Sequence, residues 1–242
     1  MKHQLKSVLR LMTRQLRVRI AAGSCSGMRW SLTTRARFLR GDYEPDLACF
    51  IEATLRPQDI FWDVGAHFGY YTLLASRAVS LGHCSAFEPS ARNLWYLRHH
   101  LQWNGITNAS VQPVAVAAAD GERPFGSAGT GSGRLEGGAQ RVAARSVDSL
   151  ILSGDCKAPT FLKIDVEGAE AEVLEGAGHL LEGRTATLCI ATHSPALYER
   201  CIGTLRRHGY APHTYRKPGL IIAAGAGRDI PASTIALITR QA

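Results

Sequence analysis

Hydrophobic and polar positions change their spacing along the chain, and each change predicts a different kind of element. Over residues 3–20 the apolar side chains recur at steps of three and four, with lysines and arginines on another face, which is typical of an amphipathic helix. Residues 21–45 show no such periodicity and are predicted to be irregular. From about residue 46, short apolar runs alternate with helical patterns almost to the last residue.

This alternation predicts an α/β fold. Strands are expected near residues 60–64, 83–88, 109–116, 161–165, 187–191, 210–216 and 233–239. Helices are expected near residues 46–55, 69–80, 90–104, 168–182 and 195–208. Strands separated by helices form a mostly parallel sheet that right-handed crossovers cover on both faces. Only one loop separates the last two predicted strands, so we expect the final strand to be antiparallel.

Residues 117–146 interrupt the alternation. Six glycines between Gly126 and Gly138 favour a long loop over a regular element. A loop at the carboxyl side of such a sheet is either a lid or substrate loop, or an insertion without a function, and the sequence leaves both open.

Charge separates the first residues from the rest of the chain. The formal net charge is +8, and ten of the 28 lysines and arginines lie in residues 1–40, which contain no acidic residue. Residues 41–242 contain the other 18 lysines and arginines and all 20 aspartates and glutamates. We therefore predict a basic helical arm over residues 1–45 and the main domain over residues 46–242. The arm either packs on the domain or contacts a membrane surface or partner through residues 1–20.

Cysteine spacing and hydropathy limit the classes of protein that remain. The six cysteines form no CxxC pair, which argues against a zinc site and a disulfide framework and favours a reducing, cytoplasmic compartment. No run of about 20 apolar residues predicts a membrane span, and the basic beginning lacks the apolar core of an export signal. We expect a cytoplasmic protein, with peripheral membrane contact as the open alternative; the sequence does not fix the oligomeric state.

The first candidate ligand site follows the strand predicted at 60–64. Gly65 permits a tight turn and lets a ligand approach the backbone, and Gly69 lets the next helix begin against the strand. A nicotinamide dinucleotide would require the spacing GxGxxG, but the middle glycine is missing and Asp63 would repel a pyrophosphate. A carboxylate suits a ligand with an ammonium group, which favours S-adenosylmethionine. A purely structural turn is the other interpretation.

Two further motifs place acids after later strands. Glu88 stands twenty-five residues after Asp63, where an acid can accept hydrogen bonds from both hydroxyls of a ribose, although alone it could be a charge that favours a helix start. Asp165 ends another strand and is the candidate acceptor for a proton leaving a methylated hydroxyl, or else an acid that orients the cofactor or caps the turn. His193 follows the next strand and is a general base, a substrate contact or a structural histidine.

Together these motifs resemble the FkbM-type S-adenosylmethionine-dependent methyltransferases over roughly residues 44–210. The likeness rests on the strings DVGAHFGYYT, FEPSARN and FLKIDVEGAEAEVLEGA, in this order. The resemblance implies the class I methyltransferase fold, a Rossmann-like sheet of seven strands with helices on both faces and an antiparallel last strand. It also implies O-methylation of a hydroxyl on a secondary metabolite, sugar or glycolipid.

Residue roles follow from the resemblance by position. The methionine end of the cofactor would be held by Asp63, Gly65, His67, Gly69, Tyr71 and Thr72. Glu88 would hold the ribose, Asn93 matches a family position in the following helix, and the later signature is matched by Asp165, Glu167, Gly168 and Glu170. Two positions depart from the family pattern: His67 replaces the usual asparagine, and Thr192 stands where an acid commonly precedes the histidine.

The sequence therefore predicts an S-adenosylmethionine-dependent O-methyltransferase for a small-molecule or glycosylated acceptor, with Asp165 or His193 as the base. We expect no metal and no nucleic-acid partner, because the chain has no acid pair after the later strands and no NPPY or DPPY string. One alternative is a non-catalytic methyltransferase-like module that binds lipid or protein through its basic arm. A nicotinamide-dependent oxidoreductase is the other.

Overall fold

The structure is a computed structural model that describes residues 13–127, 133–134, 140–215 and 219–239. Its strands are β1 (Arg17–Arg19), β2 (Arg29–Ser31), β3 (Ile60–Val64), β4 (His83–Phe87), β5 (Ala109–Gln112), β6 (Ala115–Val116), β7 (Gly121–Ser127), β8 (Gly133–Arg134), β9 (Gln140–Arg145), β10 (Phe161–Ile164), β11 (Thr187–Ala191), β12 (His213–Tyr215) and β13 (Leu220–Ala223). Its helices are α1 (Ala36–Arg40), α2 (Pro45–Thr54), α3 (Tyr70–Ala78), α4 (Ala91–Trp103), α5 (Val147–Leu152), α6 (Glu170–Glu175), α7 (Gly178–Gly183), α8 (Pro195–Arg207) and α9 (Ala232–Thr239).

A seven-stranded sheet forms the centre of the fold. Its strand order is β12-β13-β11-β10-β3-β4-β5, and β11, β10, β3, β4 and β5 run parallel. Strand β13 is antiparallel to both of its neighbours. The prediction of a mostly parallel α/β sheet is confirmed, and the antiparallel strand lies at 220–223 rather than at 233–239.

The strands are buried on both faces, as expected for a sheet covered by helices. Successive side chains of β3 point to opposite faces, so Phe61 joins one hydrophobic cluster and Trp62 joins the other. The neighbouring strand β10 repeats this division with Phe161 and Leu162. Because helices cover both faces, the sheet is open to ligands beyond the ends of its strands.

The N-terminal segment differs from its prediction. Residues 1–12 of the predicted helix lie outside the described residues, and residues 17–19 form β1, so the helix prediction is wrong there. Strand β1 pairs with β2 in an antiparallel hairpin, where irregular structure was expected for β2. Ile20, Trp30 and Phe38 are buried in the same cluster as the sheet, so this part of the segment packs into the domain.

Three other predictions need correction. The predicted loop over 117–146 contains β7, β8 and β9, which form a small sheet with β6, so the predicted strand over 109–116 is split between two sheets. The predicted helix over 168–182 is two helices, α6 and α7. The predicted last strand is the helix α9, which packs against α2, because a short apolar run fits either element until tertiary contacts decide. Within the described ranges, none of the helices combines the length and apolar character needed to cross a bilayer.

His100 joins the hairpin to the loop before α3. The indole of Trp30 stacks on its buried ring, with the ring centroids 3.7 Å apart. Its Nε2 accepts the backbone N–H of Ser31 at 3.0 Å, so Nδ1 carries the proton and donates to the carbonyl of Phe68 at 2.8 Å. Burial lowers the pKa of His100 to about 3, which keeps the ring neutral.

We expect His100 to make folding stability depend on pH. Below its ordinary pKa of 6.5 the unfolded chain binds a proton that the folded chain does not bind until about pH 3. Between about pH 6.5 and pH 3, the free energy of unfolding should therefore fall by about 1.4 kcal/mol for each unit by which the pH is lowered. Urea denaturation across pH 5 to 7.5 measures this. The free energy of unfolding of His100→Gln should depend less steeply on pH than that of wild type, and the difference in slope should correspond to about one proton at the low-pH end. Equal slopes would contradict a neutral buried His100.

Candidate active site

A cleft opens at the carboxyl edge of the central sheet, beyond the ends of β3, β4 and β10. Together with the open space at its mouth, it measures about 800 Å³. Doubly wound sheets bind ligands at this edge, where the strand order reverses, and β3 and β10 are the neighbours on either side of that point. The predicted residues that line it are Gly65, His67, Glu88, Asn93 and Asp165.

Further walls come from residues that sequence reasoning did not assign to the site. Arg35, Phe38 and Tyr43 line one side and belong to the segment predicted as a basic helical arm. The residues from Val114 to Val116, together with Phe125, line the other side from the small sheet. Phe125 lies in the segment that the sequence left open as a substrate loop or an insertion without a function, whereas no pattern in the sequence assigns Arg35, Phe38 or Tyr43 to a site.

The turn after β3 requires glycine. Gly65 has a φ of +80°, and a Cβ there would collide with the backbone carbonyl of Asp165. Gly69 directly precedes α3 with a φ of +87°, and a Cβ there would collide with Leu97. Gly65 therefore lets the chain pass close to β10 at the base of the cleft, whereas Gly69 packs against α4 and is outside the lining.

Glu88 is a buried carboxylate at the wall of the cleft. Its Oε2 accepts the backbone N–H of His67 at 2.9 Å, and its Oε1 accepts the backbone N–H of Ser90 at 2.8 Å. Burial raises its pKa to about 7 in spite of these bonds. The side chain of Asn93 also donates to this carboxylate. Because a carboxylate has about four acceptor positions, a ligand with two adjacent hydroxyls would share the carboxylate with the amide of Asn93 or displace it.

Asp63 lies behind the cleft rather than in its lining. Its Oδ1 accepts a hydrogen bond from Lys163 Nζ at 3.0 Å, and its Oδ2 accepts one from Thr72 at 2.7 Å. Although burial disfavours an ammonium, the carboxylates of Asp63 and Asp165 raise the pKa of Lys163. Both oxygens of Asp63 are thus engaged within the protein, and a direct contact with a ligand's ammonium group stays a prediction.

Tyr71 and Thr72 belong to the same buried network. The hydroxyl of Tyr71 donates to Glu44 Oε2 at 2.6 Å, and its ring lies 4.7 Å from Lys163 Nζ. Burial raises the pKa of both Tyr71 and Glu44. This network supports the loop after β3 from below, while neither Tyr71 nor Thr72 lines the cleft.

Beside the cleft, His193 lies among three carboxylates. Its Nδ1 is 2.7 Å from Oε1 of the fully buried Glu170, and that oxygen also accepts the backbone N–H of Gly168 at 3.0 Å. Its Nε2 lies 3.5 Å from Asp165 Oδ1 and 3.6 Å from Glu167 Oε2. The hydrogen bond with Glu170 is the main cause that raises the pKa of His193. The cluster can take up and hold a proton next to Asp165 of the cleft.

Thr192, at the position where the family pattern has an acid, is part of the backbone framework. Its hydroxyl donates to the carbonyl of Gly219 at 2.7 Å, and its N–H donates to the same carbonyl at 3.0 Å. The side chain therefore ties the end of β11 to the turn before β13. The acids that surround His193 come instead from residues 165–170.

Comparison with known proteins finds methyltransferases among the similar sequences. Residues 63–212 match the family model of the methyltransferase FkbM domain. The hexuronic acid methyltransferase AglP of Haloferax volcanii is 28% identical over 155 residues, which cover 61% of this chain and 61% of that protein. The chain thus spans less than two thirds of the length of that curated relative.

Two solved structures share the fold. The methyltransferase FkbM from Methylobacillus flagellatus aligns over 70% of this chain and 44% of its own, with a TM-score of 0.55 and 20% identity. The precorrin-6y C5,15-methyltransferase from Geobacter metallireducens aligns over 80% of this chain and 93% of its own, with a TM-score of 0.53 and 14% identity. The predicted class I methyltransferase fold is confirmed.

The environment of His193 can be tested without a methyl acceptor. We expect the imidazole of His193 to titrate above its ordinary pKa of 6.5, and Glu170→Gln to lower that pKa because the amide keeps the shape but removes the charge. Nuclear magnetic resonance titration of the histidine ring measures both. Glu172→Gln, on the same helix but outside the cluster, is the matched control. A pKa of His193 that is unchanged in Glu170→Gln would contradict the assignment.

Proposed function

The chain belongs to the FkbM methyltransferase family, and from this premise we propose that it transfers the methyl group of S-adenosylmethionine to a hydroxyl of a small-molecule, sugar or glycolipid acceptor. The observation that carries the proposal is the placement, at one edge of the sheet, of the buried Glu88 carboxylate and the cluster of His193 with Asp165. The first suits the nucleoside part of the cofactor, and the second suits an acceptor that must lose a proton.

The residues of the cleft fit this cofactor. The carboxylate of Glu88 would accept the ribose hydroxyls, Gly65 and the backbone at His67 would face the amino-acid end, and Asn93 would lie on the nucleoside side. The apolar wall from Val114 to Val116 suits the face of a purine. When bound, the cofactor supplies an electrophilic methyl group. Asp63, Tyr71 and Thr72 would act from behind, by holding the loop after β3 in position.

Proton removal is the part of the reaction for which the acid–histidine cluster is suited. Because Glu170 accepts the hydrogen from Nδ1, the neutral ring of His193 presents Nε2 as its basic atom. The proton of the acceptor hydroxyl would pass to Asp165, which lines the cleft, or to Nε2 of His193 beside it. The raised pKa of His193 makes it a stronger base and stabilises the ring once it is protonated.

Similarity to a named relative suggests which acceptors to test first. The Haloferax volcanii protein is, by its name, a methyltransferase for a hexuronic acid. Its sequence similarity supports a sugar-containing acceptor for this chain. Glycosides of uronic acids are accordingly the first class to test, with neutral glycosides and glycolipids beside them.

Binding of the demethylated cofactor should depend on the ionisation of Glu88. Ribose hydroxyls prefer the charged carboxylate, and with a pKa of about 7 in the free protein its charged fraction falls steeply below neutrality. Calorimetric titration with S-adenosylhomocysteine should give an affinity about tenfold weaker at pH 6 than at pH 8. Glu88→Gln should bind more weakly with a flatter profile, and Glu52→Gln, an exposed change on α2, should behave as wild type. A pH-independent wild-type affinity would exclude the assigned role of Glu88.

Transfer itself is tested with tritium-labelled S-adenosylmethionine and the three acceptor classes. We expect label in at least one class, and a loss of about 100-fold or more in His193→Ala with S-adenosylhomocysteine binding retained. His179→Ala, at an exposed histidine on α7, is the control and should leave transfer unchanged. Cofactor binding without transfer to any class would instead favour a non-catalytic binding module, and displacement of the cofactor by NAD would favour an oxidoreductase.

A further inference from the structure

The β1–β2 hairpin lies beside the C-terminal part of α4, and the exposed or half-buried residues of the two elements are here called the hairpin face; they are residues 16–19, Arg29, Leu32, Trp95, Arg98 and Trp103. The backbone N–H of Arg29 donates to the side chain of Asn104 at 2.8 Å, and the Arg29 guanidinium donates to the carbonyl of Trp103 at 3.2 Å. The guanidinium of Arg17 lies 5.7 Å from the centroid of the Trp103 ring. The hairpin is therefore fixed to the helix, and the two present a common surface.

The hairpin face is positively charged and lacks acidic residues of its own. The sequence contains no aspartate or glutamate in residues 1–40, or between Glu88 and Asp120, and these stretches include both strands and the whole of α4. Within the described ranges, no carboxylate forms a recorded salt bridge with Arg17, Arg19, Arg29 or Arg98. This surface suits a partner with dense negative charge.

The same face exposes apolar side chains. Leu16, Val18 and Leu32 are 52%, 37% and 48% exposed, and they are three of the five large hydrophobic side chains exposed among the described residues. Trp95 and Trp103 are half-buried on α4, whereas the other two tryptophans of the chain are fully buried in the core. The guanidinium of Arg14 lies over the ring of Trp95 at 4.0 Å. Along the exposed strand β1, Leu16 and Val18 alternate with Arg17 and Arg19. Aliphatic and guanidinium groups thus border the two sides of this edge strand, and the guanidinium groups of Arg14 and Arg17 lie beside the indoles of α4.

We propose that the hairpin face binds an anionic membrane surface. Arginines would bind lipid phosphates, tryptophans favour the level of the headgroups, and Leu16, Val18 and Leu32 would enter the acyl boundary. A nucleic acid would also attract the arginines and stack on the indoles, but it gives exposed aliphatic side chains no apolar environment. The combination on this face therefore favours lipid.

Two further observations agree with a lipid surface. Directly before Thr13 the sequence adds Lys2, Lys6 and Arg10, interspersed with leucines and a valine. The hairpin is also packed next to the cleft, because the ring of Trp30 in β2 lies 5.3 Å from that of Phe38, which lines the cleft. A chain bound through the hairpin face would hold its cleft beside the membrane. The proposal does not depend on the reaction that the cleft performs.

Vesicle binding of the full chain tests the proposal. We expect the protein to sediment with phosphatidylglycerol-containing vesicles and not with pure phosphatidylcholine vesicles, and added salt to weaken binding. Brominated lipids should quench the fluorescence of Trp95 and Trp103, and the double variant Trp95→Phe/Trp103→Phe should lose this quenching because the other two tryptophans are buried in the core.

Variants on the hairpin face make the test specific. Arg17→Glu with Arg98→Glu should lower the vesicle partition coefficient by about tenfold or more. The triple variant Leu16→Ser, Val18→Ser, Leu32→Ser should weaken binding at high salt as well, because the apolar contribution is not screened. Arg206→Glu and Leu81→Ser change exposed residues elsewhere and should bind as wild type. Each variant is shown to fold by its retained affinity for S-adenosylhomocysteine. If the cleft does not bind this ligand, an unchanged midpoint of thermal unfolding shows the same.

Three results would overturn the proposal. The first is no binding to phosphatidylglycerol vesicles at low salt. The second is wild-type binding by both hairpin-face variants. The third is displacement of the protein from the vesicles by a single-stranded RNA that the arginine variant no longer binds but the aliphatic variant still binds. That result would assign the face to nucleic acid.

Discussion

A buried ion pair between Lys163 and Asp63 joins the two central strands at the edge where the cleft opens. The two residues are 100 positions apart in the sequence but are paired partners in β10 and β3, with Nζ and Oδ1 3.0 Å apart and both side chains almost completely buried. Loss of one member of such a pair leaves an uncompensated charge and costs about 3–5 kcal/mol. The loops that leave these strands carry Gly65 and Asp165, so the shape of the cleft depends on this pair.

The same lysine connects the pair to the groups beside the cleft. Lys163 Nζ is also 3.7 Å from Asp165 Oδ2, and the other oxygen of that carboxylate faces His193. Asp165 therefore stands between a buried ammonium group and an imidazole that is held by the buried Glu170. In the proposed reaction, a proton arriving at His193 would remain close to carboxylates that stabilise it. The cofactor side and the acceptor side of the cleft thus share one electrostatic network.

The sequence predicted those features that arise from local pattern. Buried apolar runs marked the central strands, the glycine turn after β3 marked the base of the cleft, and Glu88 lies in its lining as expected. Features that depend on distant partners were not predictable. Nothing near Asp63 indicates that Lys163 occupies its carboxylate, and nothing near Phe38 indicates that this lone aromatic residue lines the cleft. The apolar run of α9 has β-branched residues that suit a strand, and only its packing against α2 makes it a helix.

A crystal structure of the protein with S-adenosylhomocysteine tests the central claim, that this cleft is a methyl-donor site, most directly. The account predicts both ribose hydroxyls within hydrogen-bonding distance of the carboxylate of Glu88, and the sulfur atom on the side of the cleft that Asp165 lines. Asp63 should remain bound to Lys163 behind the ligand. A ligand bound elsewhere, or bound in the cleft with its ribose away from Glu88, would contradict the account.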